Sequence, residues 1–164
     1  MKTIKKRKKQ RKTDYGKRFK LLKGNSPRLV MRKTNKYITA QYVESMQTRD
    51  KTRISVNSKD LIKHGWPKEF EGSLKSLPAA YLTGFLIGKK ITKDKKKSPV
   101  ADFGMMKVLH KTRIFAFLKG VIDAGVDMKH DEKTFPNEER ISGKNLKKDF
   151  SKYFSEVKGK IENE

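Results

Sequence analysis

The chain of 164 residues has no cysteine, one tryptophan and five prolines, and sets 18 acidic residues against 42 lysines and arginines. Without cysteine there is no disulfide scaffold, no thiolate chemistry and no zinc ribbon, and a reducing compartment is expected. No apolar run approaches the roughly 20 residues that cross a bilayer, and the N-terminus lacks the apolar stretch of a signal peptide. A membrane-spanning or secreted protein is therefore not expected. Hydrophobic residues make up 34% and charged residues 37% of the chain, against roughly 45–50% and 25% in an ordinary globular domain. Part of the chain should fold, and part should lie against something acidic.

What is abundant is positive charge, and it is unevenly placed. Of the formal net charge of +24, +15 falls in residues 1–43, +9 in residues 44–126 and none in residues 127–164. Twelve basic residues and a single acid, Asp14, occupy the first 23 positions, with Tyr15 and Phe19 among them. A block such as Lys5-Lys6-Arg7-Lys8-Lys9 repels itself and buries nothing, so residues 1–13 read as a tail disordered when free. Clustered cations displace counterions from phosphates, and aromatic rings stack on unpaired bases. The pattern points to nucleic acid engaged through the N-terminal side.

Past the tail the pattern becomes that of an ordered domain. Residues 28–34, 37–46 and 52–57 alternate or are rich in β-branched and aromatic residues, with polar breaks at 34–36 and 48–51. They predict an antiparallel meander. Residues 59–75 read as irregular, punctuated by Gly65, Trp66-Pro67 and Gly72. Residues 77–90 predict a helix with Pro78 in its first turn and Lys89-Lys90 at its C-terminal end. Its Ala80, Gly84 and Gly88 form a small-residue groove, expected to pack closely on the sheet. A short buried strand is expected at 100–104, a helix at 113–124 capped by Gly125, and another short strand at 126–128. A last helix at 145–161 should carry Leu146, Phe150, Tyr153, Phe154, Val157 and Ile161 on one stripe and dock on the domain or on a partner. The expected class is α/β: a mixed sheet with packed helices, a basic tail at 1–13, a domain at 14–130 and a C-terminal helical extension at 131–164.

Catalytic patterns are weak. Gly84 to Lys90 falls one residue short of a phosphate-binding loop, carries lysine where a hydroxyl belongs and lies inside a helix. His64, His110 and His130 are scattered, without acids or cysteines at metal spacing. Asp102, in a strand, could serve a metal-dependent nuclease, but the first strand offers Arg28, Arg32 and Lys33 in place of a second acid. No enzyme, cofactor, metal or small-molecule substrate is expected.

Four segments together carry a family resemblance: residues 11–41 (RKTDYGKRFKLLKGNSPRLVMRKTNKYITAQ), 77–90 (LPAAYLTGFLIGKK), 115–130 (FAFLKGVIDAGVDMKH) and 135–145 (FPNEERISGKN). In order and spacing the chain resembles the archaeal form of large-subunit ribosomal protein eighteen, whose eukaryotic counterpart is large-subunit protein five. Asn145 and the loop at 105–112 depart from the family pattern. The resemblance implies a ribonuclease-H-like topology used without catalysis. It also implies a cytoplasmic place in the large ribosomal subunit, in the central protuberance. The implied partners are 5S rRNA, 23S rRNA and neighbouring proteins including large-subunit protein five.

Three contact zones follow as expectations. Lys5, Lys6, Arg7, Lys8, Lys9, Arg11 and Lys12 should become ordered in a crevice of folded RNA, with Tyr15, Lys17, Arg18 and Phe19 on 5S rRNA loops. Arg32, Lys33, Asn35 and Lys36 form a basic hairpin, in which Asn35 serves either RNA or merely a turn that needs a tolerant backbone. Lys107, Lys111 and Arg113 form a third zone. The rival readings are a DNA-packaging protein and a nuclease dependent on Asp102.

Overall fold

The computed structural model describes residues 5–10, 12–46, 49–146 and 148–163. Three strands, β1 (Arg28–Lys33), β2 (Ile38–Met46) and β3 (Arg49–Asn57), form the antiparallel meander. A fourth, β4 (Val100–Asp102), pairs with β1 in parallel, giving a mixed sheet in the order β3-β2-β1-β4. The expected break at 48–51 is shorter than the sequence suggests. Thr48 lies outside the described residues, and Arg49 to Lys51 already pair with Met46 to Glu44.

Alternation gives the sheet two different faces. Leu29, Met31, Ile38, Ala40, Tyr42, Ile54 and Val56 enter the main core. They meet α3 (Leu77–Lys93), which is capped by the Ser76 hydroxyl and apolar nearly all round. A helix of that composition must be buried on every side. Against it lie the sheet, α4 (Arg113–Asp123), the short α5 (Glu138–Ser142) and α6 (Ser151–Glu162).

The small-residue groove corrects an expectation, because it faces α4 rather than the sheet. A Cβ on Gly84 would run into the Phe117 carbonyl, one on Gly120 into the Tyr81 carbonyl, and one on Gly88 would stand 2.6 Å from Cβ of Ala124. The strand expected at 126–128 is also absent. Gly125 takes a φ of +94° and the Val126 amide turns back to the Val121 carbonyl, so the backbone there closes α4 instead of joining a ladder.

The C-terminal segment docks on the domain. Phe150 packs on Trp66 in a tilted pair with ring centroids 4.6 Å apart, and Val157 and Ile161 are buried in the core. The helix begins at Ser151 rather than Asn145, and Leu146 and Tyr153 stay more than a third exposed at the edge of the core. In the stretch 59–75, expected to be irregular, two 3₁₀ turns form, over Ser58–Ile62 and Lys68–Ser73.

At the other terminus two helices appear that apolar periodicity did not signal. These are α1 (Lys6–Lys9) and α2 (Tyr15–Lys23), neither of which has a buried residue. The tail expected to be disordered thus contains a helical turn. It is held by the Arg7 guanidinium on the Thr13 hydroxyl, at 2.9 Å, and by the Lys5 ammonium over the Tyr15 ring, at 4.7 Å.

Candidate nucleic-acid interface

The second face of the sheet carries Arg28, Val30 and Arg32 on β1, and ion pairs join it to α2. Asp14 starts α2, its carboxylate accepting the Lys17 amide at 3.1 Å. One turn on, Arg18 reaches Asp50 of β3 at 2.7 Å. Asp50 also meets Arg28 at 2.8 Å, and Arg28, only 3% exposed, spans to Asp102 at 3.1 Å. Ser45 sits inside the network, accepting from Arg28 at 3.1 Å and donating to Asp50 at 2.7 Å. Arg32 donates to the backbone carbonyls of Met31 and Asp102, each at 2.8 Å, and lies 3.4 Å from the Asp102 carboxylate.

This arrangement decides what the two acids can do. Partial burial pushes the Asp50 carboxyl up. Hydrogen bonds from Ser45, Arg18 and Arg28, with the Arg28 charge, outweigh that and hold it below the usual carboxylate value. Asp102 accepts from Arg28, from Arg32 and from the Gly104 amide at 2.8 Å. Its oxygens are committed to neighbouring donors, as a structural carboxylate's are, rather than turned outward toward a cation.

Beside the network the predicted residues converge. Arg7, Lys12, Lys17, Arg18 and Arg32 line one polar cleft with Asp14 and Asp102, so cations from the tail, α2 and β1 share a surface. Lys5, Lys6, Lys8 and Lys9 stand exposed nearby in sequence, while Arg11 lies outside the described residues. Phe19 is 68% exposed and free to stack on a base, whereas the half-buried Tyr15 ring already carries Lys5. Arg32, expected with the hairpin, belongs to this cleft instead.

The rest of the hairpin faces elsewhere. Thr34 closes the turn, its hydroxyl accepting the Tyr37 amide at 2.9 Å and its own amide donating to the Tyr37 carbonyl at 2.8 Å. Asn35 and Lys36 are exposed at the tip. Asn35 does not need left-handed tolerance: among the described non-glycine residues, positive φ belongs to Asn25, Lys95 and Lys111. Lys33 lines a second cleft with Lys107 and Arg113 over Met31, Met106 and Ile114, so the second and third zones meet. Arg113 also borders a third cleft with Lys111, Arg140 and Asn145 beside the start of α3. Sequence reasoning missed Arg140, because it is brought to Lys111 by tertiary packing alone.

Residues 1–101 match the family described as ribosomal large subunit proteins 60S L5 and 50S L18. The chain is 41% identical to large ribosomal subunit protein uL18 of Korarchaeum cryptofilum over 85% of its own length and 70% of the relative's. It is 40% identical to the protein of that name from Methanococcus maripaludis, over 86% and 71% of the two chains. With that of Methanothermobacter thermautotrophicus the identity is 34% over 96% and 93%.

Proposed function

The chain belongs to the family of ribosomal large-subunit proteins 60S L5 and 50S L18, and from that premise we propose that it binds 5S rRNA and anchors it to 23S rRNA in the central protuberance. It is a structural component of the large ribosomal subunit, in a family that is not enzymatic, and its partners are rRNA and other ribosomal proteins. The protein neighbour proposed for it is the large-subunit protein five that adjoins it, a protein distinct from the 60S L5 of its own family.

One observation supports the reading above the others: cations from α1, α2 and β1 line one cleft, and α2 also carries the exposed Phe19 ring. Arginine forks suit phosphate oxygens, the lysines add unspecific phosphate attraction, and Phe19 offers a stacking platform to an unpaired base. The ion pairs that fix α2 on the sheet also fix the spacing of Arg18 and Arg32 before RNA arrives, so little ordering cost falls on those two side chains. In this reading Lys33, Asn35 and Lys36, with Lys107, Lys111 and Arg113, extend the contact around to the opposite face of the C-terminal end of β1. The basic tail residues Lys5 to Lys12 follow the RNA backbone.

Competition between 5S rRNA and duplex DNA of matched length, at one salt concentration, tests the proposal. Preference for 5S rRNA by well over tenfold is expected. Equal binding would instead favour a general basic nucleic-acid binder.

A further inference from the structure

Lysines crowd the C-terminal end of α3 and the loop after it. Lys89, Lys90, Lys93, Lys95, Lys96 and Lys97 fall within nine residues that hold one acid, Asp94. The loop has a defined backbone. The Asp94, Lys95 and Lys96 amides donate to the Lys90, Thr92 and Ile91 carbonyls at 3.0–3.1 Å, closing the helix on a left-handed residue, Lys95, with φ of +48°. The buried Tyr42 hydroxyl then donates to the Lys97 carbonyl at 2.9 Å. Two residues beyond Ser98, the Val100 amide pairs with the Pro27 carbonyl at 2.8 Å, where β4 begins.

Glycine is the residue such a cap ordinarily takes, because a Cβ crowds the backbone in the left-handed region. A lysine there gives up stability and keeps a charge. The charges also differ from those of the tail cleft. Two guanidiniums of that cleft, Arg18 and Arg32, each have a carboxylate partner within the chain, whereas among the described residues no carboxylate pairs with Lys95, Lys96 or Lys97. Residues 89–99 contain no aromatic side chain to stack on a base. Tyr42 belongs to the helix-covered face of the sheet, so the loop is held on the side away from α2.

We propose that this lysine arch grips the phosphate backbone of a second, double-helical RNA segment, separate from the one held in the tail cleft. Lys95, Lys96 and Lys97, with no carboxylate partner among the described residues and no aromatic side chain in their own loop, suit a regular backbone, which offers phosphates but hides its base faces. The proposal rests on the reading of the chain as an rRNA-binding protein and assigns the arch a separate task within it.

The test saturates the full-length chain with 5S rRNA, then adds a fluorescent RNA duplex of about two helical turns and titrates salt. The wild-type complex should capture the duplex. Lys95→Gln, Lys96→Gln and Lys97→Gln combined should lower the logarithmic salt slope for the duplex by about 2 to 3 and leave 5S affinity within about twofold. Lys95→Gly should raise the melting midpoint while lowering that slope by about 1, a split that a purely structural role would not produce. Unchanged duplex binding by the triple variant overturns the proposal, as does a loss of 5S affinity in place of duplex affinity. If the wild-type chain fails to bind 5S rRNA in the first step, the 5S reading falls, and duplex binding to the RNA-free chain still scores the arch.

Discussion

Asp102 neutralises a guanidinium that is almost entirely buried. Arg28 has two countercharges, and the one from Asp102 is the more enclosed, with side chains 3% and 9% exposed. Removing one partner of a buried pair leaves the other charge without compensation, which costs about 3–5 kcal/mol. Asp102→Asn should therefore lower unfolding free energy by about 3 kcal/mol in a urea titration. It should also release Arg32 from its carboxylate contact. A change under about 0.5 kcal/mol would mean that the network is decorative. Asp50 carries a pH dependence. Its folded value lies below that of an ordinary carboxylate, so its stabilisation is complete above the ordinary value and is lost as pH falls through the depressed folded one. Wild type and Asp50→Asn should thus differ in melting midpoint at neutral pH and converge in strong acid. Parallel curves down to the lowest pH would contradict the pairing of Asp50 with Arg18 and Arg28.

Elements differ in what holds them, and that decides which of them the sequence announces. α3 and α4 meet through Gly84, Gly88 and Gly120, where backbone lies on backbone. Gly84→Ala must drive the helices apart against the Phe117 carbonyl, and overpacking of this kind costs about 1–3 kcal/mol. Thermal melts should show a midpoint lower by several degrees, and an unchanged midpoint would place the close approach elsewhere. The meander, α3 and α4 were legible because each buries a periodic apolar face. The small-residue groove was legible as well, but not its partner, since spacing within one helix carries no information about which element fills it. α2 was illegible for the opposite reason: it buries no residue and is fixed to the sheet by Arg18 and Asp50, 32 positions apart. The strand expected at 126–128 failed because a helix cap competed for the Val126 amide. Of the candidate interface, the cationic residues were legible from charge, whereas the division of Arg32 from Lys33 and the approach of Arg140 to Lys111 depend on the fold.

At the scale of the molecule, the charge gradient along the chain becomes a difference between surfaces. The neutral C-terminal segment folds back, and its Phe150, Val157 and Ile161 complete the core. The N-terminal segment buries nothing in α1 or α2, and its charge stays at the surface. Deleting residues 1–12 should therefore weaken 5S rRNA binding at least tenfold while leaving circular dichroism and the melting transition nearly unchanged. A truncated chain that failed to fold would make the tail part of the domain. The account as a whole rests on phosphate contacts made by cations already positioned in the free protein. Its most direct test is the salt dependence of 5S rRNA affinity for the full chain. On the order of eight phosphate contacts predict a logarithmic slope of about −6 to −7, and a slope near zero would contradict the account.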